Sequence, residues 1–244
     1  DGALLFTTEN EIATGEGRIG IWDGRDYRRL GEVPSGGIGP HEMLLMPGGE
    51  TLAVANGGIR THPDTGREKL NLPSMQPSLV YLRVSDGREV GRVAPPAALR
   101  LNSIRHLAVS AQGEVAIALQ WQGDPWEGVP LLAFHRPGEA QLRFAEADPV
   151  SLAAMQGYAG SVAFDRTGAH AAITSPRGGR VMAWAVAGGG PTIWSRADVC
   201  GLAPGPRGWL ATDGLGGVVA LSPELAPSAL RRLPLAFDNH LISL

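Results

Sequence analysis

Three histidines and the single cysteine of this chain fall at matching points of a recurring stretch. They are His41 in Gly39-Pro40-His41-Glu42, His106 in Ile104-Arg105-His106-Leu107, Cys200 in Val199-Cys200-Gly201-Leu202, and His240 in Asp238-Asn239-His240-Leu241. Brought to one centre, three imidazoles and a thiolate suit a transition metal such as iron, copper or zinc. Glu42 would add a ligand or an acceptor behind one. The spacing is much looser than CxxC or HExxH, so the chemistry exists only if the fold makes these positions converge. A histidine at such a slot also serves as a partner for neighbouring backbone, and a lone cysteine as a small buried residue. Both readings stand open.

A second group of candidates suits an anionic or aromatic ligand. Arg177, in Ser175-Pro176-Arg177-Gly178-Gly179, offers a planar guanidinium for a carboxylate or phosphate, with an ion pair to a neighbouring unit as its alternative. Arg60, His62, Asp64, Arg67, Glu68 and Lys69 crowd one insertion, either as an anion site or as a solvated lid pairing within itself. Trp121 and Trp126 share another insertion and would line a cleft or pack between units. His62 and His135 are expected at the surface. No G-x-S-x-G elbow, phosphate-cradling loop or H-E-x-x-H occurs, and Cys200 lacks a nucleophile signature.

What must position these residues is a repeat. Met43 to Met46, the turn Pro47-Gly48-Gly49 and Thr51 to Asn56 form one pair of short apolar runs. Ile104 to Val109 with Glu114 to Leu119, Gly160 to Phe164 with Ala171 to Thr174, and Val199 to Ala203 with Trp209 to Thr212 repeat it. Two further runs follow, as in Leu79 to Leu82, Ser85-Asp86-Gly87, then Glu89 to Val93. Asp-Gly between such runs signals a hairpin. Four short strands in a period of about 40 residues predict an all-β fold, a β-propeller of four-stranded antiparallel blades. The chain opens on a second, third and fourth strand and ends on a lone first strand, Asp238 to Leu244. Together these would close one more blade, giving about five in a single domain over residues 1–244. Asp148-Pro149 leading into Val150 to Gln156 predicts a short helix.

Strand polarity assigns the loops. The entrance of a first strand and the loop from second to third strand share one face of a blade. The insertions Arg60 to Gln76 and Gln120 to Val129 lie there, while the opposite face has plain turns. One decorated face is the expectation for a binding scaffold.

The totals exclude some classes. Lys and Arg number 21 against 24 Asp and Glu, a net charge of −3, without the basic excess expected of a nucleic-acid binder. No apolar run reaches the roughly 18 residues of a membrane span. With one cysteine no internal disulfide forms, which leaves the compartment open.

Gly39 to Asn56 resembles the YVTN-type propeller repeat. Longer strings are more specific: Thr7-Thr8-Glu9-Asn10 with Gly15-Glu16-Gly17-Arg18-Ile19-Gly20, Asn56-Gly57-Gly58-Ile59-Arg60-Thr61-His62-Pro63-Asp64, Gln120-Trp121-Gln122-Gly123-Asp124-Pro125, Thr174 to Gly179, and Asp238-Asn239-His240-Leu241. With these the whole chain resembles the bacterial domain-of-unknown-function family 1513. The resemblance implies a seven-bladed propeller with about two blades ahead of those seen here. It also implies twin-arginine export to the periplasm and a protein partner from an iron-uptake system. Glu9 and Asn56, within the shared strings, join Arg60, Trp121 and Arg177 as ligand-binding candidates; His41, His106, Cys200 and His240 are the metal candidates. Three functions follow as expectations: a non-catalytic ligand, partner or metal binder; a lactonase- or cyclase-like hydrolase, by likeness to related propellers, with His41 or His106 as base and Arg177 as anion clamp; and an assembly scaffold.

Overall fold

Short alternating runs separated by Gly, Asp and Pro fold as strands because each buries one face and turns before the next. A computed structural model describes residues 2–242 of the chain. Its strands are β1 (Leu4–Asn10), β2 (Glu16–Asp23) and β3 (Arg29–Ile38), then β4 (Pro40–Leu45), β5 (Thr51–Asn56), β6 (Ser78–Arg83) and β7 (Glu89–Val93). There follow β8 (Asn102–Val109), β9 (Val115–Trp121), β10 (Leu132–His135) and β11 (Arg143–Phe144), with the helix α1 (Pro149–Ala153). The last eight are β12 (Ser161–Phe164), β13 (His170–Ser175), β14 (Arg180–Ala185), β15 (Thr192–Ser195), β16 (Val199–Gly205), β17 (Gly208–Asp213), β18 (Gly217–Leu221) and β19 (Pro227–Arg232). Sequential strands pair antiparallel into one three-stranded sheet, β1 to β3, and four four-stranded sheets. The chain is all-β, built of the four-stranded antiparallel blades of a β-propeller.

The chain divides into two compact units, the first ending at Arg105 and the second beginning at His106, inside β8. In the first unit, Ile19, Leu52, Val54, Val80 and Leu82 pack the β1–β3 sheet on the β4–β7 sheet. In the second, Ala116, Phe134, Met155, Phe164, Met182 and Trp184 join the β8–β11 and β12–β15 sheets. Val181, Leu202, Trp209 and Val219 join β12–β15 to β16–β19. A single blade leaves both faces wet, so stacking against the next one supplies the core.

Local signals act as predicted. The β6–β7 turn runs through Asp86, whose carboxylate accepts from Arg88 N–H at 3.0 Å and from Arg83 Nη1 at 3.0 Å. Asp148 caps α1, accepting from Ser151 N–H at 2.9 Å, with Pro149 in the first turn.

The closing strand is a correction. Residues 233–242 form no strand, and Ser243 and Leu244 lie outside the described residues, so among the described residues the β1–β3 sheet has no fourth strand. In the polar run Asp238-Asn239-His240 the Asn239 N–H donates to Asp238 Oδ1 at 2.7 Å and its side-chain amide to Tyr158 Oη, in place of a strand ladder. His135 is also corrected: it is 2 % exposed, and its Nε2 lies 3.0 Å from Glu139 O.

Candidate functional site

Register in each blade sets the end of the second strand beside the start of the first and third. Pro40 pairs Asn56, which pairs Ser78; Ser161 pairs Thr174, which pairs Val181. In each blade the loop after the second strand therefore meets the first-strand entrance at one end, and the candidates lie at that end of their own blades.

In the second unit, the segment Phe237 to Leu241 crosses several of these entrances. At the start of β16 the Cys200 thiol donates to Phe237 O at 3.4 Å and Thr212 O at 3.5 Å. Ahead of β12, Asn239 Nδ2 donates to Tyr158 Oη at 3.0 Å. Gly160 leaves room for that amide, since a Cβ there would stand 2.8 Å from Asn239 Oδ1. At β8 the His240 ring meets the His106 ring edge-on, with centroids 4.9 Å apart. Tyr158 is itself fixed by a bridge to Gln120 and by Trp121 N–H donating to Gly157 O at 2.8 Å. From the β13–β14 loop, the exposed Arg177 lays its guanidinium over the Tyr158 ring, 4.4 Å from the centroid.

This is a contiguous chain of contacts: Arg177 on Tyr158, Tyr158 on Asn239, then His240 on His106. Its chemistry is lopsided toward donors. Among the described residues Arg177 has no carboxylate partner, and the Tyr158 oxygen accepts from Asn239, which leaves its O–H to donate. A cation stacked on a ring keeps its edge N–H groups for a planar anion.

The predicted metal centre is not assembled. No group of three or more His, Cys, Asp or Glu side chains among the described residues is arranged to hold an ion. His41 sits where the β4–β5 register shifts, between Pro40 and Glu42, and is exposed in the first unit. Cys200 is 3 % exposed, and burial foremost pushes its thiol above the ordinary value of 9.0. A protonated thiol aimed at two carbonyls is a donor, not a ligand. Native Cys200 should accordingly resist a disulfide reagent at pH 8 and react on unfolding; labelling of the native protein at the rate of a free thiol would contradict this placement.

Two ligand candidates are structural. Asn56 is fully buried, accepting from Ser35 Oγ at 2.7 Å and donating to Ser35 O at 3.0 Å, which ties β5 to β3. Glu9 is clasped by Arg29 at 3.0 and 2.8 Å and by Thr7 Oγ1 at 2.6 Å. Arg29 foremost, with Thr7, holds the Glu9 carboxyl below its ordinary 4.5. Trp121 is half-buried against the second unit's core, its Nε1 without a partner. Arg60 lines a separate cleft in the first unit.

The family model described as "Protein of unknown function (DUF1513)" matches residues 1–244. The chain belongs to the DUF1513 family. No curated protein matches this DUF1513 chain. Among solved structures, hydrazine synthase of Kuenenia stuttgartiensis is similar, at 14% identity and a TM-score of 0.55, over 76% of this chain and 50% of that one. The DUF1513 chain thus spans half the length of that protein, and the likeness is one of fold.

Sequence reasoning singled out Arg177, His106 and His240 but missed Tyr158 and the role of Asn239. The signal was available: Tyr158 stands two residues ahead of Gly160, which opens the repeat run Gly160 to Phe164.

Proposed function

We propose that this protein is a non-catalytic binding propeller that holds a small carboxylate- or phosphate-bearing anion on the loop-rich face of its second unit. One observation carries the reading: Arg177 stacks on Tyr158 at 4.4 Å while the phenol oxygen accepts from Asn239, so the guanidinium N–H groups and the phenol O–H are offered together as donors. The exposed His240 adds a third donor from the segment that bridges the blade entrances. Clustered donors of this kind complement an oxyanion.

The test is amide hydrogen exchange of the intact protein with and without citrate or inorganic phosphate. At an anion concentration of 100 times Kd, exchange of Tyr158–Gly160 and Phe237–Leu241 should slow by about 100-fold, because bound anion must leave before the segment opens. Arg177→Gln should abolish the protection with the fold unchanged. Protection by neither anion, or protection surviving Arg177→Gln, overturns the reading. Turnover of a lactone panel lost in His106→Ala would replace it with the hydrolase.

A further inference from the structure

We propose that the first unit carries a separate site for a small organic carboxylate, in the cleft between the β1–β2 and β5–β6 loops. It shares no residue with the anion site proposed for the second unit. The cleft has a volume of about 200 Å³ and is lined by Asn10, Glu11, Ile12, Ile59, Arg60 and His62, among others. That is below the roughly 300–1,000 Å³ of drug-sized sites, so the ligand is small.

Arg60 is held in place at both ends. Its backbone N–H donates to Asn71 Oδ1 at 2.7 Å, and Asn71 Nδ2 donates to Gly58 O at 2.9 Å, clamping the start of the loop. The side chain lies flat on Gly15, where an added Cβ would stand 2.8 Å from both Cδ and Nε. Gly15 also has φ of 78°, a conformation that disfavours any side chain. Arg60 Nη2 reaches Ala13 O at 3.3 Å. For all this positioning, no carboxylate of the described residues pairs with the half-buried guanidinium, although Glu11 lines the same cleft. A partly desolvated cation without a counter-charge costs free energy that an incoming anion recovers.

The other walls narrow the ligand. Ile12, 53% exposed, and Ile59 give an apolar surface that a bare inorganic ion does not use. His62 Nδ1 accepts from Asp64 N–H at 3.2 Å, with the Asp64 carboxylate 3.5 Å from the same nitrogen; with Nδ1 as acceptor, the neutral ring carries its proton on Nε2 as a second donor. A fixed guanidinium, an imidazole donor and an aliphatic wall fit a carboxylate on a short carbon chain.

Succinate is the probe, with uncharged succinamide and inorganic phosphate as controls. Succinate should slow amide exchange in residues 11–15 and 59–71 of the intact protein, and succinamide should not. In Arg60→Gln the Kd should rise at least tenfold or so, with the loss of a charged hydrogen bond. Arg60→Lys, which keeps the charge, should weaken binding because the planar fork is gone. Arg177→Gln should leave this protection intact. Three results overturn the proposal: no protection by succinate, equal protection by succinamide or phosphate, or an unchanged Kd in Arg60→Gln or Arg60→Lys.

Discussion

Glu114→Gln should destabilise the second unit by about 3 kcal/mol, lowering its melting temperature by roughly 6–12 °C. Glu114 stands just ahead of β9 and is only 2 % exposed, yet its carboxylate lies between two arginines. Oε2 accepts from Arg136 Nε and Oε1 from Arg143 Nη2, while its own N–H donates to Ser110 Oγ at 3.1 Å. One carboxylate thereby ties the β8–β9 turn to the ends of β10 and β11. Glutamine keeps the volume but turns an NH2 toward a guanidinium, so one acceptor becomes a clash of donors inside a buried site. The converse change is mild. Arg136 is half-exposed, Arg143 stays on Glu114, and Arg136→Ala should cost under about 1 kcal/mol. Thermal melts of both variants check the asymmetry; equal effects would mean that burial of Glu114 is not what matters.

Asp213 should make the β17–β18 corner acid-sensitive. The side chain is 1% exposed; Oδ1 accepts from Leu215 N–H at 2.9 Å and Gly217 N–H at 2.8 Å, and Oδ2 from Arg196 Nε. Burial pushes this carboxyl upward, but the Gly217 N–H, Arg196 and the Leu215 N–H outweigh it and hold it below its ordinary 3.8. A carboxyl depressed in the folded state stabilises fully above its unfolded value and loses that contribution as pH falls through the folded one. Asp213→Asn keeps an oxygen for the two backbone donors but loses the ion pair. At pH 7 it should cost about 2–3 kcal/mol. Against wild type the deficit should shrink as pH drops below 3.8. Denaturant melts from pH 7 to pH 2 follow this; a deficit that stays constant with pH would show that the charge contributes nothing.

The four-stranded blades, the Asp-Gly turns and the Asp148-Pro149 helix start were all legible in the sequence. Each is fixed by residues within a few positions of one another: alternation buries one strand face, and a carboxylate two or three residues back satisfies the turn or the cap. Asn56 shows where that legibility ends. Its place in a shared string suggested a ligand, but the bonds to Ser35, 21 residues away, make it part of the packing between sheets.

The candidate sites were decided by contacts of that longer kind. Repeat grammar made Asp238 to Leu244 a first strand, but it says nothing about whether a neighbouring strand offers a free edge. The structure instead hangs this segment on side-chain bonds across great sequence distances, Asn239 to Tyr158 over 81 residues and Cys200 to Phe237 over 37. Arg60 is likewise anchored on Ala13, 47 residues away. Repeat alignment and strand polarity determined that guanidinium and imidazole groups would lie at the loop-rich ends of their blades. Which of them meet was left to tertiary structure, because a side chain's partner depends on where distant backbone passes.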